Sequence, residues 1–256
     1  MFVVQTFALI SSYHRLECVA RRMRLCVTCW HGVLTGVYML AVHTNWYLEP
    51  SVRGPNYVFD LLQYGSRFKY LTFLNGVLQC VFFGVCVLGD LAGWKDGPGR
   101  RSILQRLHNT IFTTLVFPLG VFVCFIFWGL YAVDRELIFP VSMDAWFPGW
   151  LNHIMHTLPL LAVLVEMCLV NHRVVMGRKA FLPIIVAYGC YLSWLCYVAY
   201  SAGIWVYPVF EVLEFKVRCV FLAALVLPNV FLVYLARKIH MVIWGSSKNH
   251  KKGKKQ

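Results

Sequence analysis

The chain has 256 residues, of which 59% are hydrophobic, 16% aromatic and only 14% charged. One core cannot hide that much apolar surface at this length, so the composition excludes an ordinary soluble domain and points to an integral membrane protein. A net charge of +13 would indicate nucleic acid in a soluble protein, but here the Lys and Arg residues fall between apolar runs and in the tail. Membrane topology accounts for them there, and no nucleic-acid partner is expected.

Residues 1–24 open on an apolar run with no basic residues before it and no small-residue cleavage site after it. They read as a cytosolic amino-terminal segment rather than a signal peptide. Apolar segments follow near Leu25–His43, Phe68–Leu88, Ile111–Val133, Trp150–Val170, Ala180–Tyr200 and Val217–Leu235, each with roughly the 20 residues a span needs. The predicted fold is all-α, a polytopic membrane protein with about six transmembrane helices in one bundle over residues 25–244. Pro118, Pro159, Pro183 and Pro228 lie inside these runs and predict kinks.

Placing the amino terminus, the second and fourth connections and the tail on one side gathers most of the Lys and Arg there, while most acids fall on the other side. Both termini are therefore expected in the cytosol. Trp146, Trp150, Trp205, Tyr207 and Tyr64 flank the spans on the far side and read as an aromatic belt. The cysteines lie mostly within predicted spans as small apolar side chains, so no structural disulfide is expected, and Cys26-x-x-Cys29 lacks the second ligand pair of a zinc motif. Residues 245–256 form a basic tail that cannot bury apolar area and is expected to be disordered. Its Lys252 and Lys254 carry either plain positive-inside charge or the spacing of a dilysine retrieval signal, which leaves the endoplasmic reticulum and the plasma membrane both open.

Ionisable groups inside a span need a partner. Within WFPGWLNHIMHTLPLLAVLVE (146–166), His153 and His156 stand one helical turn apart. With alternating topology the second and fourth spans run the same way. Thr72 then lies about 6 Å and His156 about 9 Å of helical rise from the same face of the membrane. A neutral imidazole can take the proton of a threonine hydroxyl and make it a nucleophile. Residue by residue the alternatives stay open: a threonine bonded back to its own helix, a histidine that only ties helices together, or a two-histidine metal or haem site. Glu166 lies about 15 Å deeper than His156 by helical rise, too far to orient it, and is expected to be protonated or paired with a polar group in the core.

Four blocks occur in a characteristic order: GSRFKYLTFLNGVLQCVFFGVCVLGDL (65–91), FPLGVFVCFIFWGLYAVDRELIFP (117–140), WFPGWLNHIMHTLPL (146–160) and GIWVYPVFE (203–211). They resemble the androgen-induced gene 1 family from about Gly65 to Trp244, whereas the arginine-bearing region before Gly65 departs from it. The resemblance implies a multispan threonine hydrolase that cleaves fatty acid esters of hydroxy fatty acids. It implies Thr72 and His156 as the catalytic residues, from the Lys-Tyr/Phe-x-Thr and Trp-Leu-Asn-His-x-Met-His motifs. Asn152, His153 and Asn75 lie within one turn of this dyad and are candidates to orient it or to donate to an oxyanion. Lys69, Arg67 and Arg53 are candidate anchors for the substrate carboxylate, with snorkelling to the interface as the alternative. The expected partner is a lipid ester entering from the bilayer, with no cofactor and no metal. A non-enzymatic membrane regulator or scaffold, and more distantly a channel, are the competing classes.

Overall fold

Where a chain meets hydrocarbon it must satisfy its own backbone polar groups, which confines apolar runs of this length to helices. A computed structural model describes residues 2–48, 65–94, 101–172 and 177–245, and among these there is no strand. Arg53, Tyr64 and the tail with Lys252 and Lys254 lie outside the described residues, as do the side chains before Arg22. Five helices are long and apolar enough to cross a membrane, and one bent pair makes a sixth span.

Helix α1 (Phe2–Tyr47) extends beyond the predicted Leu25–His43 at both ends. No proline or glycine precedes Gly32, so nothing in the sequence stops the helix between the amino-terminal segment and the first span. A 3-10 turn over Ser66–Lys69 delays the second span, α2, to Leu71–Leu91. The third span joins α3 (Ile103–Ile111) to α4 (Phe117–Val133) through a π-helical turn at Phe112–Val116. The fourth is α5 (Gly149–His156) with α6 (Leu158–Leu169), bent by 42°. Helix α7 (Leu182–Ala202) is the fifth, and after the short α8 (Pro208–Val212) the sixth combines α9 (Phe215–Ala224) and α10 (Val226–Trp244).

Three of the four expected proline irregularities coincide with these breaks. Each proline withholds an N–H and crowds the carbonyl four residues back. Pro118 follows the π turn, Pro159 the bend at Thr157, and Pro228 the break at Leu225. The neighbourhood supplies partners for the disturbed backbone. Gln79 Nε2 donates to the Val116 carbonyl at 3.3 Å, Thr114 Oγ1 to the Thr110 carbonyl at 2.7 Å, and Asn229 Nδ2 to the Leu225 carbonyl at 2.9 Å. Pro183 corrects the expectation: it stands in the first turn of α7, where its N–H would have had no partner, and no break follows.

Helix α4 sits at the centre, with Phe117–Cys124 and Phe127 buried. Around it the main core unites Leu34 and Tyr38 of α1, Phe82, Phe83 and Cys86 of α2, Ala162, Val163 and Met167 of α6, and Leu232 and Ala236 of α10. Tyr38 and Phe83 stack with their rings nearly parallel. The outer surface is apolar as well: Leu88, Ile103, Phe125, Tyr200 and Val242 are all exposed, as a lipid-facing bundle requires. Among the described residues the cysteines form no disulfide.

Close approach of α4 to α2 and α6 depends on Gly120. A Cβ there would meet Gln79 Nε2 at 2.9 Å, Val163 Cγ1 at 3.2 Å and the Pro159 carbonyl oxygen at 3.3 Å. Small residues serve this role in membrane bundles. Gly120→Val should cost about 1–3 kcal/mol through overpacking, seen as a lowered unfolding midpoint of the detergent-solubilised protein. Gly129→Ala, where a Cβ meets nothing within 4 Å, should leave the midpoint unchanged.

Candidate active site

Thr72 stands in the first turn of α2, whose N-cap, Tyr70, is extended and supplies no side-chain cap. The first N–H is met from elsewhere in the chain. Leu71 donates to the hydroxyls of Tyr191 on α7 at 3.2 Å and of Tyr207, just before α8, at 2.9 Å. The two hydroxyls lie 3.0 Å apart, and Tyr191 donates onward to the Lys69 carbonyl at 3.1 Å. Tyr207 thus caps the helix bearing Thr72. The N–H groups of Thr72 and Phe73 precede the first i−4 bond of the helix, from Leu74 to the Tyr70 carbonyl, so they remain as donors at a positive helix end.

His156 closes α5. Its Nε2 lies 3.2 Å from Thr72 Oγ1. Its Nδ1 faces two oxygens of Asn152, the carbonyl at 3.0 Å and Oδ1 at 2.7 Å. Two acceptors on one side place the ring proton on Nδ1 and turn the Nε2 lone pair toward the threonine. The ring is buried and lies flat on Phe127, with centroids 3.5 Å apart and planes within 14°. Of the two positions open to Asn152, the structure places its oxygens against His156 Nδ1.

The structure separates the other candidates. Asn75 is buried, and its Oδ1 accepts from Gln79 at 3.4 Å while Nδ2 has no partner. It remains an available donor one turn from Thr72. His153 is directed elsewhere: its Nδ1 meets Thr157 Oγ1 at 3.1 Å, where Trp128 Nε1 also donates, and its ring stacks on Trp128. Arg67 and Lys69 are buried rather than snorkelling. Arg67 donates to the Leu48 carbonyl, and the Lys69 ammonium lies 5.4 Å from the centre of the Tyr70 ring.

Thr72 forms part of the wall of an apolar cleft bounded among others by Phe122, Phe127, Leu130, Tyr191 and Leu195. Outside the spans, Arg135 donates to Asp144 Oδ1 at 2.7 Å across the connection leading to α5. That hydrogen bond holds the Asp144 carboxyl below the usual carboxylate range and raises the Arg135 guanidinium.

A second polar centre lies toward the opposite end of the bundle, where Asp90 stands about 27 Å along α2 from Thr72 at ~1.5 Å per residue. Glu166, fully buried, lies 3.1 Å from His31 Nε2, 2.8 Å from His172 Nε2 and 3.3 Å from Trp30 Nε1. Of the two expectations for Glu166, this arrangement is the paired one. Sequence reasoning missed His31, Asp90 and His172 here, and Tyr191, Phe127 and Thr157 at the dyad. His31, Asp90, Tyr191 and Phe127 meet their partners across long sequence separations, while Thr157 and His172 stand four and six residues from His153 and Glu166 without a motif that marks them.

The family profile described as FAR-17a/AIG1-like protein matches residues 21–241, so the likeness extends to the region before Gly65, which corrects the expected departure there. The chain is 36% identical over 201 residues to the androgen-induced gene 1 protein of Homo sapiens, covering 75% of this chain and 84% of the relative. It is 39% identical over 188 residues to the androgen-dependent TFPI-regulating protein of Mesocricetus auratus, covering 72% and 79%, and 34% identical over 226 residues to that of Rattus norvegicus, covering 86% and 94%. No solved structure matches the chain significantly.

The tyrosine cap is testable. Tyr207→Phe should cost about 1 kcal/mol, because Tyr191 still accepts from Leu71. Tyr191→Phe with Tyr207→Phe should exceed the sum of the single changes by leaving a buried N–H without an acceptor. Thermal unfolding of the three variants in one detergent measures the coupling.

Proposed function

The chain belongs to the FAR-17a/AIG1-like family, and we propose that it is an intramembrane hydrolase of lipid carboxylic esters, with Thr72 as nucleophile and His156 as base. The observation that carries this reading is the 3.2 Å contact between His156 Nε2 and Thr72 Oγ1, with the far side of the imidazole held by Asn152. A hydroxyl, a base and an orienting acceptor in series form the minimal arrangement for nucleophilic acyl transfer.

His156 Nε2 takes the hydroxyl proton as Thr72 Oγ1 forms a bond to the ester carbonyl carbon. The tetrahedral oxyanion is met by donors already aimed at the start of α2, the N–H groups of Thr72 and Phe73, and by Asn75 Nδ2. The carbon–oxygen bond to the alcohol then breaks, and His156 returns its proton to the departing alcohol oxygen. In the second half a water gives its proton to His156 and attacks the acyl-threonine. The acid leaves and Thr72 recovers its hydrogen.

The apolar cleft beside Thr72 suits an acyl chain, and a span-embedded nucleophile suits a substrate that partitions into the bilayer. Together with the family resemblance, this favours fatty acid esters of hydroxy fatty acids. Their free carboxylate needs a cation, and Lys69, buried three residues before Thr72, is the first candidate, with Arg67 second and Arg53 outside the described residues.

Thr72→Ala and His156→Ala should each lower turnover of such an ester by at least about 100-fold, the scale of a lost nucleophile or general base. Thr72→Ser should retain part of it, and circular dichroism should be unchanged. Covalent labelling by a hydrolase-directed acylating probe should vanish with Thr72→Ala. Labelling and turnover that survive both alanine changes would leave the non-enzymatic membrane regulator as the better reading.

If Lys69 anchors the carboxylate, Lys69→Met should raise KM for the free acid by about tenfold, equivalent to ~1.4 kcal/mol, while the methyl ester of the same substrate is unaffected. Equal effects on acid and methyl ester would assign Lys69 to structure alone.

A further inference from the structure

We infer that His31, Cys86 and Glu166 form a binding site for one divalent transition-metal ion, with zinc the best chemical match, at the end of the bundle opposite Thr72.

The three side chains come from α1, α2 and α6, are all buried, and bring a His31 ring nitrogen, Cys86 Sγ and a Glu166 carboxylate oxygen within 4.8 Å of one another. Imidazole nitrogen, thiolate and carboxylate oxygen together form a donor set typical of zinc. Tetrahedral ligands at zinc stand about 3.3–3.7 Å apart, from bonds of about 2.0–2.3 Å. The 3.1 Å between His31 Nε2 and Glu166 Oε2 is already near that separation, and a contraction of about 1 Å at most brings in the sulfur. A fourth donor is at hand: His108 Nε2 lies 3.4 Å from Cys86 Sγ, and the ring is buried and stacked on Phe82.

The surroundings are those of a held ligand set. Asp90 stands one turn after Cys86 on α2, and its Oδ2 is 2.7 Å from His31 Nδ1. A carboxylate on the outer nitrogen fixes the imidazole tautomer and orientation, and strengthens the inner nitrogen as a donor. His172 repeats the pattern, with Nδ1 3.2 Å from Asn109 Oδ1 and Nε2 2.8 Å from Glu166 Oε1. If both outer nitrogens carry the ring protons, the inner lone pairs of the two imidazoles face the two oxygens of one buried carboxylate. That arrangement needs positive charge between its members. A divalent cation supplies it and can also take the Cys86 sulfur, which lies 3.4 Å from His108 Nε2 in this structure.

The site shares no residue with the dyad, so it stands or falls separately from the proposed hydrolysis. Its test uses the full chain purified in detergent, stripped with a chelator and reloaded with zinc or cobalt. About one zinc per chain should survive gel filtration, measured by elemental mass spectrometry, and zinc should raise the unfolding temperature of the stripped protein. Cobalt should give a sulfur-to-cobalt charge-transfer band in the near ultraviolet that is lost in Cys86→Ser and kept in Cys80→Ser. Asp90→Asn, which spares the ligands, should weaken zinc binding about 10- to 100-fold, and Thr72→Ala should not change it. A wild-type chain that retains no stoichiometric zinc and gains no thermal stability from it, or a cobalt band that persists in Cys86→Ser, overturns the site and leaves a hydrogen-bonded ionic network alone.

Discussion

Every polar group that this bundle draws away from water must find its partner on another element, because hydrocarbon offers none. That constraint explains why the helix breaks coincide with side-chain donors. It also explains why the start of α2 is capped by two tyrosine hydroxyls rather than by the usual Ser, Thr, Asp or Asn at the N-cap. A helix start left uncapped in water would be solvated. Here Leu71 instead ties α2 to α7 and to the segment before α8, and the same bonds fix where Thr72 begins its helix.

The two polar centres obey this rule in different ways. At the dyad, charge is absent in the resting arrangement: Asn152 accepts, His156 passes the hydrogen-bond polarity through its ring, and Thr72 donates. A neutral chain of this kind carries little desolvation cost beyond that of its polar atoms. At the other end, carboxylates and imidazoles accumulate. The fully buried Glu166 would be costly without the three groups that surround it. Apolar packing around His156, with Phe127 flat on the ring, keeps the dyad dry, while the carboxylates at the other end need partners before they can be dry.

The spans were legible because length and hydropathy decide them, and α2, α4 and α7 begin or end within a few residues of their predicted limits. The contact between Thr72 and His156 was legible as well. Depth along a helix is a one-dimensional quantity, and two spans running the same way put their early residues at one level. What faced them was not legible. Asn152 could be named within a turn of His156, but whether it orients the ring or donates to substrate depends on rotamers. His153, with the same neighbours in sequence, points to Thr157 and Trp128. The cluster around Glu166 escaped for a related reason. His31, Asp90 and Glu166 are single polar residues on three separate spans, and only packing reveals that their depths and faces agree.

A distance of 3.2 Å between groups on two spans is only as dependable as the helices that hold it, and a productive site tolerates errors of only about 0.5 Å. Helix α2 carries Thr72 near one end and Cys86 and Asp90 near the other. The bent fourth span carries His156 in α5 and Glu166 in α6. The two spans that must keep the dyad in register are therefore cross-linked at their far ends, Asp90 and Glu166 both through His31 of α1. The bend at Thr157 separates the two duties of the fourth span: α6 runs where Glu166 requires, and α5 turns away by 42° to aim His156 at Thr72. A straight helix would have to satisfy both targets along one axis. The proline that interrupts this span, Pro159, thus gives the bundle the extra degree of freedom by which an anchored end and an aimed end can coexist on one membrane crossing.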